Sequence, residues 1–426
     1  MSKNLRIKRY YKSVYSKKFK PLKIAVFVMI VALVFFLGWS IYPAIRNTFV
    51  KPSETPESSS SEQQSSSENE ISDPSSGSEH TDSSEISENS QQESSVPENV
   101  TDGIRAIYVS SKIINDRSAL DNMLSSAKSA GFNAVYITLK DGEGYLNYKS
   151  SVNLARKSMS DTAYDLAEKV EYFKANGFDV IGDICSFHDH IAPKTDRSAA
   201  IHYLDYANYL WLDEASNKGG RPWLNPYADK AAQYLIDLSA EAAQAGIKTI
   251  IFSGFSFPTK IGIEYANYGE NVSDTEHNTL IKRMKEVSSA LEQYDAKAVF
   301  FSEGYSVLGG NQFIYRGDPL DIAVNAFSAS IFQSDIISNK LAKKLGISDS
   351  DLDPYECAYV SMSTILSSLD PSVEFIPILQ AFSDSYFTSS TESVSELIRA
   401  VNDCSLNSYI LYDTDCSYYF LKGSSK

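Results

Sequence analysis

From residue 103 onward, short runs rich in Val, Ile, Leu and Phe alternate with longer windows in which apolar residues recur every three or four positions. Runs of the first kind fit strands buried on both faces, and windows of the second fit helices with one apolar side. The pattern predicts strands over 103–109, 134–139, 179–186, 249–257, 296–302, 322–332, 374–382 and 408–413. Between them it predicts helices over 118–130, 161–175, 226–245, 278–293 and 394–403. Gly131, Gly177 and Gly246 each close a helix just before a strand, where a left-handed cap is expected. Strands that alternate with helices build a parallel sheet. Eight of them, with no glycine-rich phosphate loop after the first, fit a (β/α)8 TIM-type barrel better than a doubly wound sheet.

The chain ahead of residue 103 is patterned differently. Residues 24–45 read IAVFVMIVALVFFLGWSIYPAI, without a charge. At about 1.5 Å per residue that run reaches roughly 33 Å, enough to cross a hydrocarbon core of about 30 Å. It is longer than the apolar stretch of a signal peptide and no small-residue cleavage site follows it, so a retained transmembrane anchor is expected. Trp39 and Tyr42 sit near its exit, where interfacial aromatics belong. Residues 1–23 carry nine Lys or Arg and no acid, which holds that tail in the cytoplasm and places the rest of the chain outside the cell. The expected location is therefore the cell membrane, as a single-pass protein in contact with lipid through residues 24–45.

Residues 46–100 form the next segment. Positions 51–100 contain 18 Ser and twelve Asp or Glu against Lys51 alone. So little apolar surface cannot offset the entropy of ordering, and a disordered linker is expected. As a flexible coil of about 50 residues its ends lie roughly 40 Å apart, a tether between membrane and domain. The organisation read from the sequence is thus a basic tail (1–23), an anchor (24–45), a linker (46–100) and a barrel (101–426).

Charge narrows the function. The whole chain has a net charge of −15, and residues 101–426 carry −14 of it, the wrong sign for a phosphate backbone. No nucleic-acid partner is expected. Cys185, Cys357, Cys404 and Cys416 include no CxxC pair, which argues against zinc-ribbon and redox motifs. Outside the cell, Cys404 and Cys416 are the pair available to bridge. No cofactor motif is present.

In a barrel of this kind the chemistry belongs at the C-terminal ends of the strands. The second strand ends in Lys140-Asp141 and the third runs into Ser186-Phe-His188-Asp189-His190. The fourth gives Ser253-Gly-Phe-Ser256-Phe-Pro258, the fifth Ser302-Glu303-Gly-Tyr305, the seventh Gln380, and the eighth Asp413 and Asp415. Carboxyl groups converging from several strands suit glycoside hydrolysis, in which one protonates the leaving oxygen and another attacks or activates water. Glu303 is the candidate general acid, and Asp141 and Asp189 are candidate partners. Lys140, His188, Tyr108, Trp223, Gln380 and Asp413 are candidates to bind substrate. Trp211, Tyr227 and Tyr305 are further candidate rings for sugars to stack on, although most aromatics in so Tyr- and Phe-rich a chain must be core or surface filler. His188 and His190, with Asp183 or His202, form a possible metal cluster, although no metal is assigned.

These residues resemble a known family. The segment 103–108, the run Phe132-Asn-Ala-Val-Tyr-Ile-Thr-Leu-Lys-Asp141 with Gly144, and Trp223-Leu-Asn-Pro-Tyr227 look like the glycosyl hydrolase barrels of the domain family once labelled DUF4015. Lys248-Thr-Ile-Ile-Phe-Ser-Gly-Phe-Ser-Phe-Pro258 resembles the family's fourth-strand signature, of Phe-Asp-Tyr-x-Arg-Phe-Pro type, in diverged form. Phe375-Ile-Pro-Ile-Leu-Gln-Ala-Phe382 and Tyr409-Ile-Leu-Tyr-Asp413 resemble its last two strands. The resemblance implies a barrel acting on carbohydrate. It also implies departures: the family's fourth-strand Asp falls on Ser253 and its Arg on Ser256, Thr138 replaces an acid, Asp183 an Arg and His188 a Lys. A serine hydroxyl cannot support an oxocarbenium-like transition state as a carboxylate does.

Two functions of different classes follow. The first is a membrane-anchored extracellular glycoside hydrolase acting on cell-wall or environmental polysaccharide, peptidoglycan included, through Glu303 and an Asp partner. The second is a barrel that has lost catalysis and serves as a glycan-binding or surface interaction domain. A metal-dependent hydrolase built on the histidines is a third.

Overall fold

A computed structural model describes residues 103–418, apart from 260–261, 270–271, 273, 310–311 and 349–352. The tail, anchor and linker expected at 1–23, 24–45 and 46–100 lie outside the described residues. Among the described residues no helix is long and apolar enough to cross a membrane.

Eight parallel strands close into a barrel: β1 (Arg105–Tyr108), β2 (Ala134–Lys140), β3 (Asp179–Cys185), β4 (Thr249–Ser253), β5 (Lys297–Glu303), β6 (Ala326–Ile331), β7 (Glu374–Gln380) and β8 (Tyr409–Tyr412). Each pairs with its sequence neighbour, and β1 completes the ring by pairing with both β2 (Ala106 opposite Ala134) and β8 (Ala106 opposite Ile410). The outer layer is built from α1 (Arg117–Ser129), α2 (Leu166–Ala175), α3 (Asp229–Gln244), α4 (Glu276–Glu292), α5 (Pro354–Ser368) and α6 (Thr391–Asp403).

The strands are apolar on both faces because both faces are buried. Ala106, Tyr136, Ile181, Ile251, Val299, Ile376 and Ile410 point into the barrel and pack on one another. Their alternates, including Ile107, Val135, Val180, Ile250, Phe300 and Phe327, point out to meet Leu120, Phe173, Leu235 and Met284 of the helices. Helix starts are fixed locally by side-chain caps: Asp116 accepts from Ala119 N, Asp165 from Glu168 N, Thr275 from Asn278 N and Asp353 from Glu356 N. Gly131, Gly177 and Gly246 have φ of +85°, +85° and +101°, the left-handed geometry expected of them.

All eight expected strands are present, six of them with shorter ends, the second one residue longer and the fifth shifted by one. The fourth stops at Ser253 rather than 257, because Gly254 turns the chain with φ of +55°. The sixth begins at Ala326, since Pro319–Ile322 forms a 3₁₀ turn. The helix expected from 161 begins only after the Asp165 cap. Met159–Tyr164 is instead an extended strand pairing with Leu146–Tyr148, which lies antiparallel to β2. No helix is expected before the seventh strand, yet α5 is there. Its Ser, Thr and Val residues are weak helix formers, and burial of Cys357, Ala358, Met362 and Ile365 holds it in place.

The four cysteines are free, and the bridge left open between Cys404 and Cys416 is not formed. Cys404 Sγ lies 3.5 Å from Ser363 Oγ, and Cys416 Sγ meets the Tyr108 carbonyl and the Ser110 N–H. The two thiols therefore serve different neighbours.

Candidate active site

Alternation along the strands decides which side chains reach the barrel mouth. From the inward residues Tyr136, Ile181, Ile251, Val299 and Ile376, steps of two lead to Thr138, Asp183 and Cys185, Ser253, Phe301 and Glu303, and Ile378 and Gln380, while a register shift after Thr138 breaks the alternation before Lys140. Tyr108 and Tyr412 join them from β1 and β8.

Lys140 and Asp189 form the floor's most buried polar contact. Nζ lies 3.0 Å from Asp189 Oδ2, and neither side chain is exposed. The ammonium also donates to the carbonyls of Ser186, at 3.3 Å, and Cys185. Asp189 Oδ1 accepts from Ile191 N at 2.8 Å and Ala192 N at 2.9 Å. Oδ1 is satisfied by the backbone and Oδ2 faces the ammonium, and the pair ties the end of β2 to the loop after β3. Asp141 does similar local work. Its Oδ1 accepts from Glu143 N at 3.0 Å and Tyr145 N at 2.8 Å, closing the turn 141–145, while burial raises its pKa.

Glu303 stands differently. Among the described residues no cation pairs with it, and the buried Tyr315 hydroxyl donates to its Oε2 at 3.1 Å. Tyr315 comes from a 3₁₀ turn, Gln312–Tyr315, in the β5–β6 connection, which has no long helix. Beside it lies Asp335, in the first turn of the short helix Gln333–Ser338 that follows the neighbouring strand β6. Its carboxyl is half-buried and its pKa is raised, first by burial, then by the charges of Glu303 and Asp384. Glu303 and Asp335 lie close enough for the charge of one to raise the pKa of the other, and neighbouring acids in unequal environments are what a proton donor and its partner require.

Gln380 explains how Asp335 is held. Fully buried at the end of β7, it accepts from Ser334 N at 3.4 Å and Ser334 Oγ at 3.3 Å, and donates to Asp384 Oδ2 at 2.9 Å. One amide thus joins the loop after β6 to the loop after β7.

The remaining expected residues are spread around the rim. Tyr108 and Tyr412 lie 4.8 Å apart between ring centres, and Phe332 stacks on Tyr412 at 6.2 Å, giving an aromatic wall. Trp223 is only 7 % exposed, lies 4.5 Å from the His188 ring and donates to Asp213 Oδ2 at 3.2 Å. Trp211 is buried too, donating to the Gly262 carbonyl. These two indoles are packing elements and offer no open face. Tyr227 packs on Phe257 and Tyr268, and Tyr305 lies within reach of the Glu303 charge. Asp413 caps the turn after β8, accepting from Asp415 N at 3.0 Å and Ser417 N at 2.9 Å.

The histidines do not converge on a metal. β3 ends at Cys185, so His188 and His190 lie in a loop and not on one strand face, with their rings 4.7 Å apart and edge to face. His190 Nδ1 meets the Pro222 carbonyl at 3.0 Å, and both nitrogens of His202 meet the carbonyls of Ala207 and Arg197. Among the described residues no three His, Cys, Asp or Glu side chains are grouped to hold an ion.

Sequence reasoning names Glu303 but gives Asp335 no role and mentions Asp183 only as a metal ligand or a departure from the family. Asp183 is 8 % exposed and points inward from β3. Burial pushes its carboxyl up to about 7, against the opposing effects of the Ser253 hydroxyl and the Lys140 charge. The residue standing at the fourth-strand position, Ser253, therefore lies beside an acid carried by the third strand and favours its ionised form. The available signal for both acids was positional, since Asp335 follows the last residue of a strand by a few positions and Asp183 falls on an inward step.

The DUF4015 family, described as "Putative glycosyl hydrolase domain", matches residues 106–418, and the chain belongs to it. No curated protein sequence matches. Among solved structures, the glycoside hydrolase domain of PgaB (BpsB) from Bordetella bronchiseptica is 11 % identical, with a TM-score of 0.50 over 75 % of this chain and 97 % of that one. At that identity the likeness is one of fold. A hypothetical protein from Ruminiclostridium thermocellum is 21 % identical with a TM-score of 0.40, covering 45 % of this chain and 96 % of that one. The C-terminal domain of a chitinase-like protein from Desulfitobacterium hafniense is 10 % identical with a TM-score of 0.45, covering 76 % and 99 %.

Proposed function

We propose that this protein is a membrane-anchored glycoside hydrolase whose barrel works outside the cell on polysaccharide, with peptidoglycan or another wall glycan as its substrate. The observation that carries the reading is the neighbouring acids Glu303 and Asp335 at the C-terminal ends of β5 and β6. Asp335, whose proton is held by burial and by two neighbouring acids, protonates the leaving oxygen. Glu303, oriented by the Tyr315 hydroxyl, attacks the anomeric carbon or activates water. This assigns the acid role to Asp335 rather than Glu303. It leaves Asp141 and Asp189, both engaged by backbone N–H groups, to shape the floor. Anchoring rests on the uncharged run 24–45 and the basic tail before it.

The test is reducing-end release by the full chain in detergent from a panel of glycans including peptidoglycan, beside Glu303→Gln and Asp335→Asn. The expected result is release by the wild type and a fall of about 10²-fold or more in either variant, the effect of losing a positioned acid or base. Release that survives both substitutions sinks the assignment. A second reading, a glycan-binding barrel without catalysis, is favoured by Ser253 and Ser256, neutral groups at the fourth strand. Binding without release on the same panel would select it.

A further inference from the structure

Below the Glu303 and Asp335 pair lies an acid that those two roles do not use. Asp183 Oδ1 is sealed from bulk solvent and has no hydrogen-bond partner among the described residues. An orphaned buried carboxyl oxygen is costly and calls for an occupant that supplies a donor. What surrounds it defines that occupant. Tyr108, Tyr136 and Tyr412 converge on it closely enough for the Asp183 charge to be among the causes that raise each phenol's pKa. The Cys185 thiol and Ser253 complete the set, and both are neutral, with burial holding the thiol up at about 12. Hydroxyls therefore face the acid from β1, β2, β4 and β8. Lys140 is the cation whose charge acts on Asp183, and it is committed to Asp189 with no exposed surface. No ammonium or guanidinium is free there to neutralise an anionic ligand.

We propose that Asp183, with the phenols of Tyr108 and Tyr412, forms a subsite that takes a hydroxyl of an uncharged saccharide and disfavours a sugar acid at the same position. This rests on the reading of the mouth as a carbohydrate site, and adds the substrate class. The sugar hydroxyl donates to the exposed edge of the Asp183 carboxyl and accepts from a phenol, while its ring lies along the wall of Tyr108, Tyr412 and Phe332. A uronate carboxylate placed there meets an acid and three phenols, with the nearby Lys140 charge already held by Asp189, and its desolvation is poorly compensated.

The experiment measures binding, which keeps it separate from turnover. The full chain carrying Glu303→Gln, in detergent, is titrated by calorimetry with neutral glucan and N-acetylglucosamine oligomers and with the same oligomers oxidised to uronates. The expected result is that at least one neutral oligomer binds and its oxidised counterpart binds about tenfold more weakly or not at all. Asp183→Leu should lose about tenfold in affinity for the neutral oligomer, as removal of a buried hydrogen-bond partner does. Asp183→Asn, which keeps an acceptor oxygen in place, should stay within about threefold, and this conservative rescue separates loss of the subsite from loss of the fold. Equal binding by Asp183→Leu, an equal or greater loss in Asp183→Asn, tighter binding of the uronate, or no binding by any neutral oligomer would each overturn the proposal and leave the orphan oxygen to a trapped water. If Glu303→Gln proves as active as the wild type, the catalytic reading fails while these binding outcomes keep their meaning.

Discussion

The Lys140 ammonium lies 3.0 Å from the Asp189 carboxylate, and both side chains are wholly buried where β2 meets the loop after β3. A sealed pair of this kind is weak evidence for net stability, but breaking one half strands a charge, at a cost of about 3–5 kcal/mol. Asp189→Asn keeps an acceptor for the N–H groups of Ile191 and Ala192 and isolates the charge effect. Urea unfolding followed by tryptophan fluorescence should show that loss for Asp189→Asn and for Lys140→Met. The double variant should be less destabilised than the sum of the singles. Single variants within about 1 kcal/mol of the wild type would show that solvent reaches the pair.

Gln380 is expected to act through Asp335. Replacing it with Leu keeps its bulk and removes the contacts to Ser334 and Asp384. A shift of about 1 Å in a reacting group can cost up to about 10²-fold in rate. The expected outcome is a fall in kcat that exceeds any change in KM, together with a lower pKa on the basic limb of the rate profile as Asp335 moves into solvent. A purely structural role for Gln380 would lower stability and leave that limb where it was.

Most of the barrel was legible in the sequence because its strands are buried on both faces, and such runs stand out against the amphipathic helices between them. Leu120 and Leu124 in α1, or Val170 and Phe173 in α2, repeat at helical spacing and give their elements away. The site was harder to read. Glu303 ends a strand and its position alone suggests chemistry, but Asp141 and Asp189 end in the same places and turn out to serve backbone N–H groups. Which acid is free depends on loop geometry, set by turns such as the one Asp141 caps. Asp335 becomes significant only when Glu303 and Asp384 are brought near it, a relationship between three strand ends distant in sequence. Trp223 shows the converse: a motif residue that reads as a sugar platform is consumed by His188 and Asp213.

Two glycines separate backbone strain from crowding. Gly131 has φ of +85° and open space where a Cβ would project, whereas Gly144 has φ of +92° and its Cβ would strike the Asp189 carboxylate. Gly131→Ala should therefore cost about 1–2 kcal/mol, the penalty of a left-handed conformation alone. Gly144→Ala should cost more, because it also pushes on the buried carboxylate that holds Lys140. Equal losses in thermal or urea unfolding would mean that the turn 141–145 relaxes without disturbing the ion pair.

Asp183 should also leave a mark on the pH dependence of stability. Its carboxyl is pushed up to about 7 in the folded protein by burial, against about 3.9 for an unfolded chain. Between those values the native state binds more protons than the unfolded state, so this group's contribution to stability falls as pH rises. The contribution is fully present below about pH 4, declines through the interval and is gone above about pH 7; a gap of about three units corresponds to roughly 4 kcal/mol at most. Asp183→Asn removes the titration while keeping the shape. The difference in unfolding free energy, wild type minus Asp183→Asn, should therefore decrease from pH 4 to pH 7 and level off beyond it. Lys140, Cys185, Tyr108, Tyr136 and Tyr412 face the same carboxyl in both proteins. Of these, Cys185 is pushed up to about 12 and the three tyrosines are raised, so none of the four titrates in the window. A flat difference across that interval would mean that a countercharge or water reaches Asp183 and that its carboxyl ionises as an ordinary acid.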